Sequence, residues 1–245
     1  MRNQIMSEAR KLLTTRSVWG LLAGTMVISG LAAWAIAANL DLTGTIGLAG
    51  LPGFQEMMAL VPAFVLVLGI RSYTDEARHG SLVPTLLSTP VRRRVVGAKF
   101  AVVGLASIAF ALAGAAMVVG VSSLVLSIDG AAVTLGSIGA LAWLLAKVVG
   151  VCLLWSAIGL GVGMVVSHQV AAIVGSLVWL FALENLLDAL APSLARYLPG
   201  HAGMSALGVE AYGTLGPLSG AWVLAGWAAV CLALGAGRFR RRDIA

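Results

Sequence analysis

The run "GAKFAVVGLASIAFALAGAAMVVGVSSL", Gly97 to Leu124, carries a single charge, Lys99, close to its start. A helix needs about 20 apolar residues to cross the hydrocarbon core of a bilayer, and this run exceeds that. Its neighbours repeat the pattern. Apolar stretches at 18–38, 54–70, 148–167, 170–190 and 218–237 are separated by short polar breaks. The whole chain of 245 residues is 60% hydrophobic and 11% charged, with mean hydropathy +0.98. Soluble domains carry about 25% charged residues. So little polar cover cannot solvate so much apolar surface, whereas lipid can. The expected fold class is an all-α integral membrane protein, a single domain of six transmembrane helices. Barrel-type strand alternation is absent.

Charge placement supports the even count. Arg2, Arg10, Lys11 and Arg16 precede the first span; Arg71, Arg78, Arg92, Arg93, Arg94 and Lys99 fall between the second and third; Arg238, Arg240, Arg241 and Arg242 follow the sixth. Six spans put these fourteen of the sixteen bases on one side, opposite Lys147 and Arg196. Lys and Arg concentrate on the cytoplasmic side, so both termini are expected inside. The net charge of +6 is dispersed in patches between apolar runs. A nucleic-acid binder would gather it on one folded polar face, so no nucleic-acid partner is expected.

Residues 1–17 begin like a signal peptide, but the apolar run that follows is too long for a typical h-region. Ile5, Ala9, Leu12 and Leu13 share one helical face; Gln4, Glu8, Arg10 and Lys11 lie largely elsewhere. That pattern suits a helix lying along the membrane surface.

The least apolar interior stretch is "YTDEARHGSLVPTLLSTPVRRRVVGAKF", Tyr73 to Phe100. Gly80 and Pro90 bracket "SLVPTLLST". Ser81 can cap a helix start, and Pro84 falls in the first turn, where proline is tolerated. Leu82, Val83, Leu86 and Leu87 then share a face. The triple Arg would meet an anionic leaflet, worth about 1 kcal/mol per base. Two readings stay open on the residues alone: a loop that fixes topology, or a docking surface for a cytoplasmic partner.

The remaining candidates are few. The three lysines, Lys11, Lys99 and Lys147, fit no phosphate loop, which needs GxxxxGK[ST]. "GLGVG", Gly159 to Gly163, lies inside an apolar run with no strand before it, so it does not read as a dinucleotide site. Gly159/Gly163 and Gly20/Gly24 have the small-residue spacing that permits close helix approach, either within a subunit or between two. Cys152 and Cys231 sit in apolar runs without metal-ligand spacing. No metal site and no catalytic constellation are expected. Glu184 and Asp188 are one helical turn apart near the end of the fifth span. A central acid costs about 2.5–3.5 kcal/mol on insertion scales. They read either as polar elements of a transport path or outer gate, or as interfacial acids paired with Arg196 or another outer group. Glu56, at the outer end of the second span, is equally open. Segment 191–217 is too polar and broken to span and reads as an extracellular re-entrant or capping element.

The stretch from Glu76 to Lys99 resembles the cytoplasmic loop of ABC-2-type transporter permeases. Glu76, Gly80, Ser81, Leu86, Leu87, Pro90, Arg92 or Arg93, and Lys99 match its order of acid, Gly-Ser, Leu-Leu, Pro, Arg and Lys. The N-terminal amphipathic helix, the six spans, "LENLLDALAPSLARYLP" (Leu183 to Pro199) and the basic ending "FRRRDIA" fit the same family. The resemblance implies the membrane subunit of an ATP-driven exporter in a bacterial inner membrane. It would pair with a second permease copy or a paralogue and with an ABC ATPase subunit dimer that binds ATP and Mg. Segment 71–96 would then be the coupling segment, with Glu76, Gly80, Ser81, Leu82, Leu86, Leu87, Pro90, Arg92 and Arg93 at the ATPase contact. Family members move drugs, antibiotics, lipids or glycans. The rival classes are an ion-driven secondary transporter, to which only Glu184 and a kink at Pro62 would point, and a non-transporting membrane scaffold or sensor.

Overall fold

In a computed structural model the chain is described over residues 2–40, 44–47, 51–78, 92–128, 130–134, 136–209 and 215–241. The apolar runs form helices because a backbone in lipid must satisfy its own hydrogen bonds. In order they are α1 (Arg2–Thr14), α2 (Arg16–Ala37), the short α3 (Phe54–Met57), α4 (Val61–Arg78), α5 (Arg92–Ile128), α6 (Ile138–Val166), α7 (Gln169–Val178), α8 (Glu184–Leu190), α9 (Pro192–Ala195), α10 (Pro199–Leu207) and α11 (Pro217–Arg241). A π-helical turn, Trp179–Leu183, joins α7 to α8. Among the described residues, six segments are long and apolar enough to cross a membrane: Arg16–Ala37, Phe54–Arg78, Arg94–Ile128, Ile138–Val166, Gln169–Leu190 and Pro217–Phe239.

Two features depart from the sequence reading. Helix α6 begins at Ile138 rather than near 148, so Lys147 stands within it. Pro62 lies in the first turn of α4, directly after the 58–60 break that separates α3 from α4; there its missing N–H has no helical partner to lose. A short parallel strand pair, β1 (Gly44–Gly47) with β2 (Ala131–Thr134), joins the connection after α2 to the one after α5.

The core is built on α4 and α6. Glycines let their backbones meet: a Cβ on Gly159 would strike the Leu66 carbonyl, and one on Gly163 would lie 2.7 Å from the Ile70 oxygen. Gly69 on α4 answers from the other side, facing Ser156 and Leu160 of α6. The Gly159/Gly163 pair therefore packs helices of one subunit. The Gly20/Gly24 pair is split: Gly24 of α2 packs on the Phe64 ring of α4, whereas a Cβ on Gly20 would meet nothing within 4 Å. Gly161 does for α11 what Gly159 does for α4, abutting the Cys231 backbone. Helix α6 ends on Ser167 in the left-handed region (φ 60°), and His168 Nδ1 accepts the Ala171 N–H at the start of α7.

Helices α7–α8 are the least engaged. In that span only Ala172 and Glu184 are buried, against 13 of the 29 residues of α6.

Candidate functional site

Chain reversals bring α1, the end of α4, the start of α5 and the end of α11 to one pole, here termed the basic end. Tyr73 of α4 and Phe239 of α11 meet there edge to face at 5.8 Å. Beside them lies a four-charge cluster. Lys99 Nζ of α5 reaches Glu8 Oε2 of α1 at 2.7 Å and Glu76 Oε1 of α4 at 2.9 Å. It also donates to the Ser72 carbonyl at 3.2 Å. Lys11 Nζ of α1 closes the ring on Glu8 Oε1 at 2.8 Å and Glu76 Oε1 at 2.9 Å. The Lys99 side chain is 4% exposed and that of Lys11 is 41%. Arg71 and Asp75 pair alongside at 3.1 Å. The cluster joins three helices that the sequence separates by up to 91 positions.

The cluster grips both flanks of the punctuated segment. Glu76 precedes it and Lys99 follows it. Gly80, Ser81, Leu82, Leu86, Leu87 and Pro90, expected to form the coupling helix, lie outside the described residues; Arg92 and Arg93 begin α5. Sequence reasoning placed Glu8 and Lys11 away from the apolar face of α1 and missed that Glu8 is largely covered while Lys11 caps the cluster from its exposed side. The only signal was their spacing, one turn of a helix.

Electrostatics favour the ionised forms of Glu8 and Lys11. Burial pushes the Glu8 carboxyl up, but Lys99 and Lys11 together outweigh it and hold it below the ordinary carboxylate value. Burial pulls Lys11 down, but its bonds to Glu8 and Glu76 win and raise it. Glu8 therefore adds stability that is complete above its unfolded value of about 4.3 and is lost as pH falls through its lower folded value. Lys11 adds stability that is complete below about pH 10.4 and is lost as pH rises through its higher folded value. Docking of α1 should thus be flat across the neutral range and fail only at the extremes. A spin label at exposed Leu13 should stay in one mobility state from about pH 5 to 9 and loosen below about pH 4. A midpoint near neutrality would contradict the assignment.

At the far end, Glu184 is buried (1% exposed) although it belongs to the most exposed span. The π turn precedes it, and its carboxylate faces the start of α10. Oε2 accepts the Gly200 N–H at 2.8 Å and the His201 N–H at 3.3 Å, with His201 Nδ1 also 3.3 Å away. Oε1 accepts the Trp179 Nε1–H at 2.9 Å. His201 Nε2 approaches Asp188 at 3.7 Å. At the other terminus of α10, Lys147 Nζ donates to the Leu207 carbonyl at 2.8 Å. A carboxylate at the N-terminus and an ammonium at the C-terminus complement the helix macrodipole at both ends. Glu184 and Asp188 are thus brought together through His201 rather than through Arg196, which instead stacks on Tyr197. Glu56 is exposed in α3 and does not join them. A cavity of about 230 Å³ lies beside Glu184, walled by Pro62, Trp155, Phe181 and Met204.

Residues 4–183 match the family model described as an ABC-2 family transporter protein, well over half of the chain. No curated protein matches it.

Proposed function

The chain belongs to the ABC-2 family of transporter proteins, and from that premise we propose that it is the membrane subunit of an ATP-driven exporter whose ATPase is a separate polypeptide. The observation that supports this reading is the four-charge cluster. ATP binding by a partner ATPase dimer, with its Mg, would press on segment 79–91. A push on a loop is transmitted only if its flanks are rigid. Here Glu76 and Lys99 lock those flanks to each other and to α1, and the glycine contacts lock α4 to α6. The push therefore moves α1, α4, α5 and α6 as one body. The lightly packed α7–α8 span is the natural element to move against.

On this reading the basic end and both termini face the cytoplasm of a bacterium. The path opens between two permease subunits, copies or paralogues, and carries an amphipathic small molecule, a drug or antibiotic, or a lipid outward. Glu184 and Asp188 then serve as anchors of the outer cap rather than as substrate ligands.

The test is co-expression with a candidate ABC ATPase, chosen first from any encoded next to this chain's gene. The two should co-purify, and Arg93→Glu or Gly80→Pro should abolish stimulation of ATP hydrolysis while the permease still folds. A permease that captures no ATPase, or variants that leave coupled hydrolysis and transport intact, would sink the proposal in favour of a secondary transporter or scaffold.

A further inference from the structure

Between α1, α4 and α5 at the basic end lies a cavity of about 640 Å³, within the range of ligand sites. Its lining is divided by chemistry. Leu12, Val18 and Val102 contribute apolar surface, while the four-charge cluster, the Arg71–Asp75 pair and Arg78 supply charge. Arg71 is already paired with Asp75. Arg78 is exposed, and among the described residues no acid lies within ion-pair distance of it. Glu76 has the opposite surplus. Both lysines converge on its Oε1, and its Oε2 is buried with no hydrogen-bond partner. A buried carboxylate oxygen left unpaired is costly and calls for a donor.

We infer that this cavity binds a phospholipid whose headgroup carries a primary ammonium next to its phosphate. The phosphate takes the Arg78 guanidinium, with Arg71 beside it, through charge-assisted hydrogen bonds. Glu76 lines the cavity, and a rotation of its carboxylate presents Oε2, which the protein itself shields and leaves without a partner, to the ammonium as donor. The acyl chain lies along Leu12, Val18 and Val102. A trimethylammonium headgroup has no N–H to give, and a phosphoglycerol headgroup has no cation. The site thus discriminates between lipids of equal size. It stands independently of the coupling proposal, because binding requires neither ATPase nor transport.

The full chain in phosphatidylcholine nanodiscs doped with phosphatidylethanolamine or with phosphatidylglycerol tests it, with retained lipid counted by native mass spectrometry. Phosphatidylethanolamine should be retained about tenfold over either other lipid, the worth of one hydrogen bond to a charged group. Arg78→Gln, outside the four-charge cluster, should lower its retention by a similar factor. Soluble glycerophosphoethanolamine should compete poorly, since it lacks the chain. Equal retention of the three lipids, an Arg78→Gln variant that binds as well as the parent, or full competition by the chainless headgroup would each overturn the inference.

Discussion

Replacing Lys99 with Met should destabilise the folded protein by about 3–5 kcal/mol, the cost of breaking a buried ion pair from one side. The side chain is 4% exposed and its ammonium is shared between Glu8 and Glu76. Met fills similar space but leaves two carboxylates facing each other, with only the outer Lys11 to neutralise them. The same change at Lys11, 41% exposed, should cost only about 1 kcal/mol, as for a surface pair. Adding Glu76→Gln to Lys99→Met should recover part of the loss, because the stranded charge is removed. Denaturant unfolding in one detergent of the parent, Lys99→Met, Glu76→Gln and the double variant supplies the double-mutant cycle, with Lys11→Met measured beside it. If Lys99→Met unfolds no earlier than Lys11→Met, the inner lysine is not the keystone of the cluster.

At the far end, Glu184→Ala should strand three donors at once: the Gly200 and His201 backbone N–H groups and the Trp179 indole. Each buried unpaired donor costs about 1–3 kcal/mol, so a loss of at least about 3 kcal/mol is expected. It should be local. Amide exchange in α10 should accelerate by orders of magnitude while α4 and α6 keep their protection. Glu184→Gln keeps one acceptor oxygen and should lose about half as much. Uniform acceleration through every helix would mean that Glu184 supports the bundle rather than the α10 cap.

These two clusters also mark where the sequence stopped being legible. Span positions follow from local composition, so α2, α4 and α5 could be read from their own residues. The same local logic misplaced the start of α6. Lys147 looked like a boundary because its acceptor, the Leu207 carbonyl, lies 60 positions away. Glu184 suggested a pairing with Arg196 or another group beyond the span; its partners are a helix terminus and His201, not Arg196. Glu8 read as solvated because Lys99 is 91 positions distant. The β1–β2 pairing involves four-residue segments too short to show a period. The Gly159/Gly163 spacing announced a close approach, but only the three-dimensional arrangement of α4 supplied its partner. In each case the missing information was a long-range contact, which no window along the chain contains.

The clamped helix α10 also constrains how the protein is made. Lys147 and Glu184 both precede α10 in the chain, so the ribosome delivers both charges before the backbone groups that satisfy them. At about 5–20 residues per second, Glu184 precedes Gly200 by roughly a second or more. During that interval the nascent α7–α8 span holds an acid whose only donor among the described residues is the Trp179 indole. Insertion of this span therefore becomes irreversible only once the next short stretch has been synthesised and folds back. Truncation between Leu190 and Pro199 should yield a chain that the membrane's quality-control proteases remove, although five of its six spans are complete.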